Sequence, residues 1–267
     1  MSVVSIILIL LVAFVVGMDG ILDEWQMYQP IVACTLVGLA VGNPAAGIIL
    51  GATLQMITIG WINIGASVAP DIALPSVVSA LLVCGPAALS IKHGIALAIP
   101  LAVIGQLLSV SIRKSIVKLV HDADDAAEKA EIARMDRIHL LSLGIQGLRV
   151  LIPTVLVMLI SPQYIHQLMQ QVPAVITNGI AVSIGMVAAV GFANLINMMV
   201  SKSLWIWFVV GFLLAIFTDV NIFVLAGFGL IVAISFVWIV SRRHGDSNGT
   251  SGDDDDLDDF DKELDDL

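Results

Sequence analysis

The chain has 267 residues, 58% of them hydrophobic and only 13% charged, with a mean hydropathy of +1.00. A soluble domain of this size does not sustain such a composition, so the sequence describes a polytopic integral membrane protein. The formal net charge of −10 lies entirely in the tail, because Asp246 to Leu267 holds eleven acids and one Lys while the rest of the chain is balanced. No basic surface suited to a nucleic acid remains.

The first element is an almost unbroken apolar run from Val3 to Gly17. It has no Lys or Arg before it and no small-residue cleavage signature after it, so it is expected to remain as a helix rather than leave as a signal peptide. It runs into GMDGILDEWQMYQP, which sets Asp19, Asp23 and Glu24 beside hydrocarbon. An ionisable group there costs at least ~2.5 kcal/mol unless it faces a cavity or a partner, so clustered acids mark a pathway.

Further apolar segments follow at 31–42, 45–61, 64–84, 94–111, 139–160, 172–200, 204–217 and 222–240. Those at 31–42 and 204–217 fall short of the roughly 20 residues a crossing needs, and so predict broken or re-entrant helices. The fold class is therefore an all-α polytopic membrane protein in which full crossings alternate with broken or re-entrant segments. Gly38, Gly42, Pro44, Gly47, Gly51, Gly60, Gly65, Pro70 and Pro75 punctuate the first half. Such residues either open the backbone at a substrate site or, where glycines are spaced by four, let helices pack closely. Thr35 to Met56 and Asn178 to Met199 share a small-residue-rich character that suggests an internal repeat.

The polar stretch Arg113 to Arg137 is rich in Ala, lacks Gly and Pro, and reads as a helical loop. It contains six of the twelve bases, and Arg242 and Arg243 follow the last span, so the loop and the C-terminus are expected in the cytoplasm. The predicted organisation is membrane segments with the candidate site over 1–112, a cytoplasmic helical loop over 113–138, membrane segments over 139–241, and a disordered acidic cytoplasmic tail over 242–267.

Three polar groups lie in or beside the early apolar runs: Asp19, Asp23, Glu24 and Gln26; then Gln55; then Asn63 and Asp71. The last two belong to GWINIGASVAPDIALP, whose glycines and prolines predict an unwound elbow over 60–75. Carboxylates and amides suit the hydroxyls of a neutral polyol, and Trp25 and Trp61 offer flat faces for a sugar ring. The same tryptophans also fit an interfacial belt, Gln55 fits interhelical bonding, and intramembrane acids also serve coupled ions. Arg149 lies inside an apolar segment and is expected to snorkel, with pairing to an acid as the alternative. Cys34 and Cys84 are fifty residues apart, the five histidines lack ligand spacing, and no phosphate loop, nucleophile elbow or zinc helix occurs. No catalytic centre, metal site or cofactor is expected.

The run GILDEWQMYQPIVACTLVGLAVGNPAAGIILGATLQMITIGWINIGASVAPD resembles the N-terminal signature of the IIC membrane subunit of mannose-family sugar phosphotransferase systems. The similarity continues through HGIALAIPLAVIGQLL and VPAVITNGIAVSIGMVAAVGFANLINMM to about residue 240, and excludes the tail. The resemblance implies a permease subunit of a bacterial cytoplasmic membrane that binds and moves a hexose of the mannose or glucose type. It implies a IID membrane partner and cytoplasmic IIA and IIB carriers, or a fused IIAB, which bear the phosphoryl-carrying histidines. It also implies, for some members, docking of antibacterial peptides (bacteriocins). Matched by motif position, Asp23 and Glu24 correspond to the family's acidic pair, and Gln55, Asn63 and Asp71, with Trp61 beside them, to the polar positions that follow. Asp19 departs from the small residue the pattern leads one to expect. Two rival functions are an ion-coupled secondary sugar transporter and a membrane receptor or scaffold without transport.

Overall fold

The computed structural model describes residues 1–61, 68–171, 173–199, 205–218 and 221–246. Asn63 and the acidic tail from 247 onward lie outside the described residues. Two compact units divide the chain, Met1–Leu195 and Ile196–Leu267.

In the first unit, Ser2 caps α1 (Val3–Leu22) by accepting the Ser5 N–H at 3.1 Å. Proline at the first turn starts both α2 (Pro30–Val41) and α3 (Pro44–Thr58), where its missing N–H costs nothing. The two are joined by a tight turn in which Gly42 sits at φ 93 and returns its N–H to the Gly38 carbonyl at 3.0 Å. All twelve residues of α4 (Ala73–Cys84) are buried, and α1, α2, α3, α5 (Ile91–Glu128) and α6 (Ile132–Leu159) pack around it. The core runs through Ile9, Val16, Val37, Leu50, Leu74 and Val77. Then come α7 (Pro162–Gln171), with only Ile165 buried, and α8 (Ala174–Met199). The elements thereafter are α9 (Trp205–Phe217) and α10 (Ile222–Asp246); within the second unit they pack on each other, with the Trp207 and Phe236 rings edge to face at 6.3 Å.

Four helices among the described residues are long and apolar enough to cross a bilayer: Val3–Leu22, Ile91–Glu128, Ile132–Leu159 and the stretch Asn178–Met198 of α8. The short helices α2 and α9 fall where 31–42 and 204–217 were expected to be broken or re-entrant, and α3 and α4 are short as well.

Glycine serves close packing at most of the predicted positions. A Cβ on Gly47 would stand 2.5 Å from the Cys34 carbonyl oxygen, one on Gly51 2.6 Å from that of Pro30, and one on Gly17 2.9 Å from that of Gly147. Gly42 is the exception, since nothing lies within 4 Å of its missing Cβ and its left-handed backbone is what requires it.

Three expectations change. The polar stretch 113–137 is the end of α5 and the start of α6, joined through Lys129–Glu131 with Ala130 at φ 54 and the Glu131 N–H on the Ala126 carbonyl at 2.9 Å. Helical propensity simply continues from the apolar into the polar sequence, so the borders at 112 and 138 fall inside helices. The helix α7 went unpredicted because its sequence is too polar for an apolar segment. The two stretches of the suggested repeat differ in local structure, since α2 and α3 break at Gly42 while α8 runs on through Gly185.

Candidate functional site

Asp19 is fully buried in the last turn of α1, and its carboxylate faces backbone rather than a cation. The Trp25 N–H donates to Oδ1 at 3.0 Å, and the N–H groups of Met27 and Tyr28 donate to Oδ2 at 2.5 and 3.4 Å. That bonding folds residues 23–29 back over the helix end, with Asp23 and Gln26 in the left-handed region at φ 57 and 55. The small residue expected at 19 is replaced by the acid that shapes this connection.

The turn presents a polar relay. Gln55 of α3 donates through Nε2 to Gln29 Oε1 at 2.8 Å, Gln29 donates to Gln26 Oε1 at 2.8 Å, and Gln26 donates to Asp23 Oδ1 at 2.5 Å. Tyr28 also donates its hydroxyl to Asp23 Oδ1, at 2.7 Å. Asp23 Oδ2 accepts nothing among the described residues, so the carboxylate keeps one oxygen for a ligand. Tyr28 lies in the connection between α1 and α2; burial, then the hydrogen bond and charge of Asp23, push its phenol up to about 12, and it stays a donor at neutral pH.

A second polar centre joins three helices. Asp71 accepts the Leu74 N–H on Oδ2 at 2.9 Å, capping α4, and its own N–H reaches the Ala102 carbonyl of α5 at 3.2 Å. Its Oδ1 is ion-paired with Arg149 of α6, which also donates to Ser109 Oγ at 2.7 Å. The carboxylate rests on Gly105, where an added Cβ would meet Oδ2 at 2.5 Å. The Arg149 side chain is 1% exposed, so the expected snorkelling does not occur: an acid within reach holds the guanidinium inside.

Two cavities meet at these centres. One, of about 410 Å³, is bounded by the relay residues together with Thr58, Trp61 and Ile72. The other, of about 310 Å³, is bounded by Asp71, Gln106, Ser109, Arg113 and Arg149 among others. Asp23, Tyr28, Trp61 and Ile72 belong to both. The volumes suit a small ligand. Of the sequence candidates, Asp23, Gln55, Trp61 and Asp71 thus line this paired space. Glu24 is exposed, lines neither cavity and makes no hydrogen bond among the described residues, and Trp25 is 67% exposed. Asn63 lies outside the described residues. Tyr28, Gln29, Gln106, Ser109 and Arg113 also line the cavities, though they are not among the sequence candidates. The Gln26 and Gln29 pair in so apolar a chain was a usable signal; nothing local marks Ser109.

The profile of the family described as the sorbose-specific IIC component of the phosphotransferase system (PTS) matches residues 3–235. The chain is 43% identical over 234 residues to a PTS mannose-specific EIIC component of Escherichia coli, covering 87% of this chain and 88% of that one. It is 41% identical over 247 residues to a fructose permease IIC component of Bacillus subtilis, covering 92% and 91%. A sorbose-specific EIIC component of Lacticaseibacillus casei is 41% identical over 255 residues, covering 94% and 92%. Two solved structures, each 42% identical and covering 89% of this chain and 96% of theirs, superpose with TM-scores of 0.81 and 0.59. The first is described as a membrane protein and the second as the mannose transporter ManYZ in complex with microcin E492. With the match running over nearly its whole length, the chain belongs to the sorbose-type IIC family: it is a multi-pass, sugar-transporting subunit of a phosphotransferase system whose phosphorylation is done by other subunits.

Proposed function

We propose that the subunit takes a hexose into the space between the 23–29 turn, α3 and the segment preceding α4, with Asp23, Gln55, Asp71 and Trp61 around it; Glu24, which lines neither cavity, is not in the set, and Asn63 lies outside the described residues. The observation that carries this reading is the relay from Gln55 to Asp23, which lines a cavity with no basic residue among the described ones and leaves Asp23 Oδ2 without a partner among them. Such a wall offers donors and acceptors to hydroxyls but nothing to hold an anion. Trp61, at the meeting of both cavities, supplies the flat face. Relatives named for mannose, fructose and sorbose support the hexose class.

The partners are a IID membrane subunit and cytoplasmic IIA and IIB carriers, and phosphorylation at the cytoplasmic face makes uptake one-way. The neighbour solved with a microcin supports docking of an antibacterial peptide on the same complex. The bases of the α5–α6 hairpin and Arg242 with Arg243 support a bacterial cytoplasmic-membrane orientation with hairpin and C-terminus inside. The membrane body then comprises 1–112 and 139–241, with 242–267 as a cytoplasmic tail.

Uptake of mannose, fructose and sorbose into membrane vesicles, with and without the phosphoryl donor chain, tests the reading. Donor-dependent accumulation of sugar phosphate is expected, and Asp23→Asn should raise the KM at least tenfold while the complex still assembles. Accumulation of unmodified sugar driven by an ion gradient would sink it.

A further inference from the structure

Arg113 is the polar group on the cavity walls that the hexose site leaves unexplained. It lines the cavity that also contains Asp71 and Arg149, at the point where α5 passes from apolar into polar sequence. It makes no ion pair or hydrogen bond among the described residues. Arg149 is in the opposite condition, with Asp71 and Ser109 as partners, although its Nε remains without one. Since Arg149 is held by Asp71 and Ser109, Arg113 is the cation on this wall whose guanidinium has no bonded partner among the described residues, and Asp23, which both cavities share, is the acid that balances its charge. The relay cavity has Asp23 on its wall and, among the described residues, no basic one.

The two spaces, which share four lining residues, therefore differ in what they attract. A neutral polyol is satisfied by the relay. A dianion set there would face the Asp23 carboxylate with nothing to offset it, whereas the planar fork of a guanidinium matches phosphate oxygens. We propose that the cavity lined by Arg113 is a phosphate-monoester subsite, in which Arg113 holds the phosphoryl group of the newly phosphorylated hexose while the ring stays near Asp23, Tyr28 and Trp61, which both cavities share. The inference rests on the hexose reading above. It gives the phosphoryl group a seat beyond the hexose ring, beside the stretch of α5 assigned to the cytoplasmic side.

The test uses the full chain co-purified with its membrane partner subunit. Calorimetric titrations compare whichever of mannose, fructose and sorbose is transported with that hexose phosphorylated on its terminal primary hydroxyl. Arg113→Gln should weaken the ester about tenfold or more, as expected for a charge-assisted contact, and leave the free hexose within about twofold. Inorganic phosphate should compete with the ester but not with the free sugar. A wild-type complex that does not bind the ester, an unchanged ester affinity in Arg113→Gln, or an equal loss for both ligands overturns the subsite. A complex that transports none of the three sugars refutes instead the hexose reading beneath it.

Discussion

Three backbone N–H groups converge on Asp19, and no ion pair to it occurs among the described residues. Its part is to fix the turn that presents Asp23, so we expect Asp19→Asn, which blunts one of the two accepting oxygens, to raise the sugar KM about tenfold through a loss of roughly 1–3 kcal/mol in the turn. Transport kinetics check this, and an unchanged KM with normal assembly would show that the turn holds without the acid. Asp71 and Arg149 make a different case, since removing one member of a buried pair strands the other. Arg149→Met should cost about 3–5 kcal/mol of stability, and adding Asp71→Asn, which keeps the acceptor for the Leu74 N–H, should restore part of it. Thermal unfolding of the purified complex decides, with simply additive losses excluding the pairing. Asp23 and Gln55 were legible in the sequence because polar groups in apolar runs stand out by cost. The part of Asp19 was not, because its partners are backbone groups aimed by two left-handed residues further on. The Asp71 pairing was not, because 78 residues separate its members.

At the scale of elements, α2 and α3 form a pair of short helices pressed together at Gly38, Gly47 and Gly51. Gly47→Leu would drive side-chain atoms into the Cys34 carbonyl, and we expect folded protein to be lost from the membrane fraction. Gly144→Ala, with nothing within 4 Å of the added carbon, should leave its amount unchanged. Quantitative immunoblotting of membranes separates the two. The spacing of these glycines announced the contact, and the short apolar segments announced broken helices. What the sequence hid was continuity: nothing in the composition around residue 112 distinguishes a helix that stops from one that carries on into water.

On the scale of the whole molecule, the net charge belongs to the tail and the body is balanced. Truncation after Asp246 should therefore leave sugar uptake within about twofold, since a segment so poor in apolar residues has no core to contribute. A larger loss in a vesicle assay would give the tail a partner. Family and fold class were readable across the chain because apolar segments and motif runs are local properties, while the relation between the two cavities is not. That relation rests on Asp23, Tyr28, Trp61 and Ile72, which both share, and one of the two cavities is completed by α5. Over its 38 residues, about 57 Å at 1.5 Å per residue, it carries Gln106, Ser109 and Arg113 on a cavity wall and then the outer arm of the hairpin. Its internal proline, Pro100, precedes that stretch. From Gly105 to Glu128 the helix is uninterrupted, so the seat of Asp71, the guanidinium of Arg113 and the arm of the hairpin all belong to one rod.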